Sequence, residues 1–524
     1  MKVLITGLDL EQLEHRGIAV YTNNVIRALD ELGHDVWLLT QHQGLQAQRR
    51  LRSTLAKNVV SLLARTTLME ALDVGGVNPD QFNVPSKRAK LAEAFVGFFT
   101  RIFHTLSRSE RHIADIYQHV FPKKNYVITA KHLVPLTDHP LTPYAYVARL
   151  GYLKHLTGIV AARNIFQNSM RLQARGKRDK VTIRTNQFDI FLTTCPLGIT
   201  TKGIPSVQTI HDTIPIELFK TTDNPITFAH RLANAGPNHI FVSKESKRRY
   251  DFFYEKVPSE SIDTIVHQPP SLYSSLFRTE GDDVELKLSR LEDLRLPRRI
   301  APLRYILFNS KVEYRKNLEF LVQAYLGSSL RSEGISLVIC GGLNQDLRTS
   351  QLRELTGPYE DTSLSANMTS SSAKVTSSHA DRIDPGHIVF TGYVDDHTRD
   401  TLFTAALAVV SPSIIEGFGI PVLDAAALGV PVVASDIGSH IEIHSMYDFD
   451  NYVHLRSLHS LSGWIQKLND ISSERSGSIS RSVQQKLLDK AEINMRLKRF
   501  VRMRRQIWGQ FKEDLSNSLM KARL

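Results

Sequence analysis

The chain has 524 residues, 42% of them hydrophobic, which is enough for two α/β domains with full cores. A formal charge of +12 favours anionic partners such as phosphate-bearing substrates, acidic lipid headgroups or nucleic acid, while two cysteines, Cys195 and Cys340, exclude a disulfide framework and a cysteine metal cluster. Residues 1–7 are too short an apolar run for a signal peptide, and no run of about 18 apolar residues marks a membrane span, so the expected location is the cytoplasm.

Residues 3–6 read as a first strand, followed by a loop and a helix whose apolar positions Ile18, Tyr21, Val25, Leu29 and Leu32 keep helical spacing. Gly33 ends that helix, and residues 36–39 form a second strand. This start is Rossmann-like but has no GxGxxG. Residues 43–180 are rich in basic and apolar positions and read as an insertion. Within it, residues 91–106 form an apolar helical segment that is either a core helix with a charged edge, the favoured reading, or a helix resting at a membrane interface. Strands resume at 188–192 and 206–210, the second leading into His211 and Asp212. A histidine there is well placed for substrate contact, although a satisfied buried histidine is the commoner outcome for such a residue.

A basic, polar linker is expected at 279–299. The next strand, 305–308, leads to Arg315, Lys316 and Asn317 and a helix through Leu318, Leu321 and Tyr325. Adjacent cations at a strand-to-helix junction suit a diphosphate, because fixed positive charge and free helix N–H groups both oppose phosphate charge; two solvated cations are the plainer alternative. A strand at 335–340 exits through Gly341 and Gly342. Residues 356–379 are rich in serine and threonine and read as a mobile insertion. The strand at 387–394 precedes a helix capped by Asp395 or Asp396, a cap being preferred to metal binding because no acidic cluster surrounds the pair.

The most informative stretch follows the core strand 406–410. Glu416 falls at the strand's carboxyl mouth, then Gly417, Phe418, Gly419 and Ile420, then a helix over 421–428 with Pro421 at its start, Asp424 inside it and Gly429 after it. Open α/β sheets bind ligands beyond the carboxyl ends of their strands, and glycines let the backbone approach closely. Glu416 and Asp424 are each suited to hydrogen-bond a vicinal diol. The tail, 481–524, is charged and helical, with Phe500, Ile507, Trp508 and Phe511 as apolar anchors.

The stretch from Glu416 to Asp424 closely resembles the donor-site signature of the family 4 (group 1) retaining glycosyltransferases. The resemblance implies a GT-B fold: two Rossmann-like α/β domains facing each other across a cleft, with a C-terminal helix crossing back to the first domain. Domain one is expected over 1–290, with the insertion around 43–180; domain two over 300–480, with a mobile loop around 356–383; and the helical tail over 481–524. The family's usual pattern is Glu, seven residues, Glu, and Asp424 stands at the second acid, one methylene shorter. By resemblance Glu416 lies at the donor sugar, Asp424 at the nucleotide ribose, and Lys316, with Arg315 beside it, at the donor phosphates. Ser310 stands where many members have an arginine, next to Lys311. Gly17 resembles the family's N-terminal glycine loop, with Arg16 in place of a first glycine, and His211 resembles its histidine that reaches the donor sugar or the acceptor.

The expected function is transfer of a hexose from a nucleotide diphosphate sugar to a saccharide or lipid-linked saccharide, with retention, in polysaccharide or envelope-glycan assembly. Glu416 and His211 are the expected catalytic residues; Gly17, Arg315, Lys316, Gly417, Phe418, Gly419, Ile420 and Asp424 are the expected donor-binding residues. No metal or cofactor and no nucleic-acid partner is expected, and peripheral contact with the inner face of the membrane is allowed. Two alternatives stay open: a non-catalytic nucleotide-sugar or polysaccharide-binding protein, and another GT-B enzyme such as a sugar-nucleotide epimerase.

Overall fold

The computed structural model describes residues 1–11, 17–41, 121–136, 148–176, 179–218, 224–254, 262–272, 296–297, 300–342, 386–473 and 483–523. Arg16, the apolar segment 91–106, most of the linker 279–299 and the loop around 356–383 lie outside them. The chain forms two compact units: Met1–Val242, Ser246–His267 and Phe511–Leu524 in the first, Ser243–Glu245 and Gln268–Gln510 in the second.

The first unit is built on β1 (Lys2–Thr6), β2 (Asp35–Thr40), β3 (Asn125–Val127), β4 (Leu133–Pro135), β5 (Gly158–Ala161), β6 (Val181–Arg184), β7 (Ile190–Thr193), β8 (Ile199–Lys202), β9 (Ser206–Ile210), β10 (Asn238–Phe241) and β11 (Asp263–Ile265). Eight of these form one sheet in the order β11-β10-β9-β7-β1-β2-β5-β4, parallel except for β4 against β5, and β3-β6-β8 form a small parallel sheet. Strands β1 and β7 are covered on both faces, which is why they read as continuous apolar runs rather than alternating ones. Helix α1 (Gly17–Glu31) buries Tyr21, Val25 and Leu29, the stripe its spacing predicts. Further helices are α2 (Ile165–Arg175), α3 (Ile214–Glu217), α4 (Pro225–Ala233) and α5 (Lys244–Phe253). The expected insertion over 43–180 is too wide: β5, inside it, pairs with β2 in the main sheet, and α2 packs on that sheet's core through Ile165 and Phe166. Four residues of strand are too few to stand out as a period in a sequence.

The second unit contains β12 (Tyr305–Asn309), β13 (Ser336–Cys340), β14 (Ile388–Gly392), β15 (Ala408–Ser411), β16 (Val432–Ser435) and β17 (Val453–Arg456). All pair in parallel, in the order β14-β13-β12-β15-β16-β17. Numbered along the chain this is 3-2-1-4-5-6, the doubly wound Rossmann order, and its topological switch point lies between β12 and β15. The helices are α6 (Leu318–Gly327), α7 (Asp396–Thr404), α8 (Ile420–Leu428), α9 (Gly438–His444), α10 (Leu461–Ser473) and α11 (Val483–Arg523). Asp395 caps α7, its carboxylate accepting from the Thr398 N–H at 3.0 Å. The expected α/β class with two parallel-sheet units is borne out. Helix α11 contributes to both: Arg496 donates to the Thr404 and Ala406 carbonyls of the second unit, while Phe511 packs on Tyr21 and Lys512 pairs with Glu31 in the first.

Candidate functional site

Strands β12 and β15 each release a loop at the switch point of the second sheet. After β12 comes a single 3-10 turn, Tyr314–Lys316, and Asn317 joins it to α6 at φ 54, a left-handed conformation that asparagine tolerates better than most residues. After β15 the chain passes Ser413 and Glu416 into the glycine turn and α8. The two loops are tied through their backbones, the Ile414 N–H donating to the Arg315 carbonyl at 2.8 Å.

Three side chains converge on Glu416. Arg315 Nη1 donates to Glu416 Oε2 at 2.9 Å, Lys316 Nζ donates to Oε1, and Ser413 Oγ reaches the same oxygen at 2.9 Å. Lys316 and Glu416 are both buried. Burial pushes the Glu416 carboxyl up, but Lys316 and Arg315 override it and hold it at about 2. Glu416 is therefore ionised across the neutral range. Lys311 and Glu313 extend the cluster, Glu313 accepting from Arg315 Nε at 3.1 Å and pairing with Lys311 at 3.4 Å. Among the described residues the cluster holds three cations and two carboxylates, the balance of charge an anionic ligand needs.

Gly419 holds φ +104, a conformation that costs a side-chain-bearing residue strain, and it opens α8. The helix begins at Ile420, one residue earlier than its proline suggests; Pro421 still sits in the first turn, where a missing N–H loses no bond. Phe418 is buried at the turn. Asp424, buried inside α8, accepts from the Ser271 N–H at 2.6 Å and the Ser271 hydroxyl at 2.5 Å. The expected ribose-binding acid thus has a protein hydroxyl and an N–H on its two oxygens. Burial raises this carboxyl to about 7, against the pull of Ser271 and Arg399.

In the first unit Gly17 starts α1. His211, at the carboxyl end of β9, is buried; its Nε2 donates to the Thr194 carbonyl at 2.8 Å and its ring meets Tyr21 edge-on. Burial lowers it to about 4. Just beyond β1 are two buried acids absent from the expected set, Asp9 and Glu11. Burial raises Asp9 to about 6, opposed by bonds from Cys195 and Thr194, and Glu11 to about 7, opposed by Thr40 Oγ1 at 2.5 Å and the Gln41 N–H at 3.1 Å.

The fold therefore gathers Arg315, Lys316 and Glu416 into one cluster and sets Gly417 to Ile420 and Asp424 on the turn and helix that follow. Sequence reasoning missed Ser271, Ser413, Ser435 and His440, which complete the polar surroundings. The available signal was positional: His440 follows β16, the strand beside β15, just as Glu416 follows β15. Among the described residues no three His, Cys, Asp or Glu side chains group as metal ligands, and no helix is long and apolar enough to cross a membrane.

Residues 298–455 match the family Glycosyl transferases group 1. This group 1 domain holds Arg315, Lys316, Glu416 and Asp424. The O-antigen chain mannosyltransferase B of Escherichia coli is 47% identical over 58 residues, 11% of this chain and 15% of the relative. An uncharacterized glycosyltransferase of Methanocaldococcus jannaschii is 32% identical over 139 residues, 26% of this chain and 28% of that protein. The chain thus spans under a third of the length of either relative. Among solved structures, a sucrose-phosphate synthase from Thermosynechococcus elongatus is aligned over 99% of this chain and 98% of its own, at 12% identity and a TM-score of 0.48.

Proposed function

We propose that this protein is a retaining glycosyltransferase that moves a hexose from a nucleotide diphosphate sugar to a saccharide or lipid-linked saccharide acceptor. The observation that carries the reading is the Arg315–Lys316–Glu416 cluster, its lysine and glutamate buried, at the switch point of the group 1 domain, beside the glycine turn that opens α8. In the transfer an acceptor hydroxyl oxygen bonds to the anomeric carbon, the bond from that carbon to the diphosphate breaks, and the hydroxyl proton passes to the departing phosphate. Negative charge grows on the diphosphate. Lys316, Arg315 and the backbone N–H groups at the start of α8 stabilise it, the principal electrostatic requirement of the step, with no metal needed for that purpose. Glu416 orients the sugar and supports positive charge forming at the anomeric carbon. Asp424 serves the ribose, exchanging the Ser271 donors for ribose hydroxyls. The Escherichia coli relative's name, an O-antigen chain mannosyltransferase, supports a hexose donor and polysaccharide or envelope-glycan assembly as the setting.

One observation favours a second reading. Both Asp424 oxygens are committed to Ser271, which suits a remodelled ribose contact in a protein that binds nucleotide sugars without transferring them. Thermal stabilisation of the purified protein by UDP, GDP and a panel of their hexoses, in chelator, followed by a transfer assay with the donor that binds, tests both. A selective shift with turnover is expected. A shift without turnover on any saccharide acceptor would select the binding protein, and no shift with any nucleotide would overturn the donor site.

A further inference from the structure

We infer that His440 is a ligand-binding residue of the group 1 domain, its Nε2 accepting a hydrogen bond from a hydroxyl of the donor hexose. The inference deepens the donor-site reading above and rests on it. His440 lies in α9, after β16, and is buried. Its Nδ1 is 3.0 Å from the Ser435 carbonyl and 3.2 Å from the Ser435 hydroxyl. A carbonyl can only accept, so the ring proton is on Nδ1 and Nε2 carries a lone pair. Burial lowers the imidazole to about 4, so the ring is neutral at physiological pH.

That lone pair has no partner among the described residues, and neither has the buried hydroxyl of Ser439 beside it. Buried acceptors are rarely left unmade, because removal from water costs them a bond that nothing in the fold returns. The position says what returns it. A Cβ added at Gly419 would stand 2.9 Å from His440 Cδ2 and 3.2 Å from Nε2, so the unpartnered nitrogen faces the glycine turn of the donor site. The other side of the ring is tied to the charged cluster: Ser435 Oγ donates to the Ser413 carbonyl at 2.5 Å, and Ser413 Oγ donates to Glu416. His440 is thus one end of a hydrogen-bond chain whose other end is Lys316. A neutral acceptor repels phosphate oxygens and takes an O–H donor. Lys316 and Arg315 already answer the phosphates, which leaves the hexose hydroxyls for His440.

Calorimetric titration of the full-length protein with UDP, GDP and their hexoses tests this. His440→Phe keeps the ring and removes both nitrogens. It is expected to weaken the nucleotide hexose about tenfold, the size of one hydrogen bond, and to leave the matching free nucleoside diphosphate within about twofold. An equal loss for both ligands, which a ribose contact or a merely structural role would give, overturns the inference, and so does no loss. Should the variant fail to fold, histidine nitrogen NMR of the unaltered protein decides. The expected result is a proton on Nδ1 of His440 and an Nε2 resonance that moves on adding the nucleotide hexose but not the nucleoside diphosphate. A proton on Nε2, or a resonance unmoved at saturation, overturns it. Binding of neither ligand by the unaltered protein would instead overturn the donor-site reading, and this one with it.

Discussion

Both units bury acids beyond the carboxyl ends of central strands, but they treat them oppositely. In the second unit Glu416 meets Lys316 and Arg315 and is held at about 2. In the first, burial carries Asp9 and Glu11 to about 6 and 7 against hydrogen bonds from a thiol, hydroxyls and an amide. Desolvation acts in both places; at Glu416 Lys316 and Arg315 reverse it. A carboxylate locked in its charged form can hold two cations in place and face a developing positive charge at any neutral pH. A carboxyl near 7 changes between donor and acceptor of hydrogen bonds with a small change in pH. The same residue type at the same kind of strand end therefore serves fixed electrostatics in one unit and is open to proton exchange in the other.

The largest effect is expected at Lys316. Lys316→Ala is expected to lower transfer about 100- to 1000-fold and to destabilise the second unit by about 3 kcal/mol, because Glu416 keeps only Arg315 and Ser413 in a buried setting. Combining Lys316→Met with Glu416→Leu should restore much of the melting temperature and none of the turnover. Recovery of turnover by that pair would remove both residues from the site.

Glu11→Gln sharpens the contrast. Folding raises Glu11 from its ordinary 4.5 to about 7, so the folded unit binds this proton more tightly than the unfolded chain does. The associated stability is full below about pH 4.5 and is lost as pH rises through 7, about 3 kcal/mol in all. Hydrogen exchange of the β1 and β2 amides should show that decline in the natural protein and a much flatter profile in the variant. An unchanged slope would assign the decline to Asp9 and other groups.

The smallest effect is expected at Asp424, whose two oxygens hold two donors from one residue. Asp424→Asn can accept only one of them well and should cost about 1–2 kcal/mol, read from the denaturation midpoint of the full chain. A tenfold loss of nucleotide affinity in the same variant, measured separately, would favour the ribose role over a purely internal one.

Much of the second unit was legible in the chain. The apolar strands, the Gly419-Ile420-Pro421 helix start, the Gly429 stop and the Arg315–Lys316 pair all act over a few residues, so local rules of turn and helix formation fix them without distant information. In the first unit the opening β1-α1-β2 was legible for the same reason, while β5 was hidden because a four-residue strand has no period to display. Glu416 was singled out by its place after a buried strand. Its partners were not, because Lys316 is one hundred residues away and only the strand order, which sets β12 beside β15, makes them neighbours.

The sequence alone thus determined most elements of the second unit and set Glu416, Arg315 and Lys316 at the mouths of its strands. The tertiary structure decided what each of those side chains meets, and with it the charge each carries. Glu416 became a carboxylate because a lysine and an arginine arrived from another loop. Asp424 was carried to about 7 because burial outweighed the bonds from Ser271 and the pull of Arg399, and His440 kept a lone pair because nothing described in the protein arrived at all. Desolvation is shared by all three and is set by burial; its compensation is long-range in the chain and short-range in space, which is why no reading of local pattern contains it.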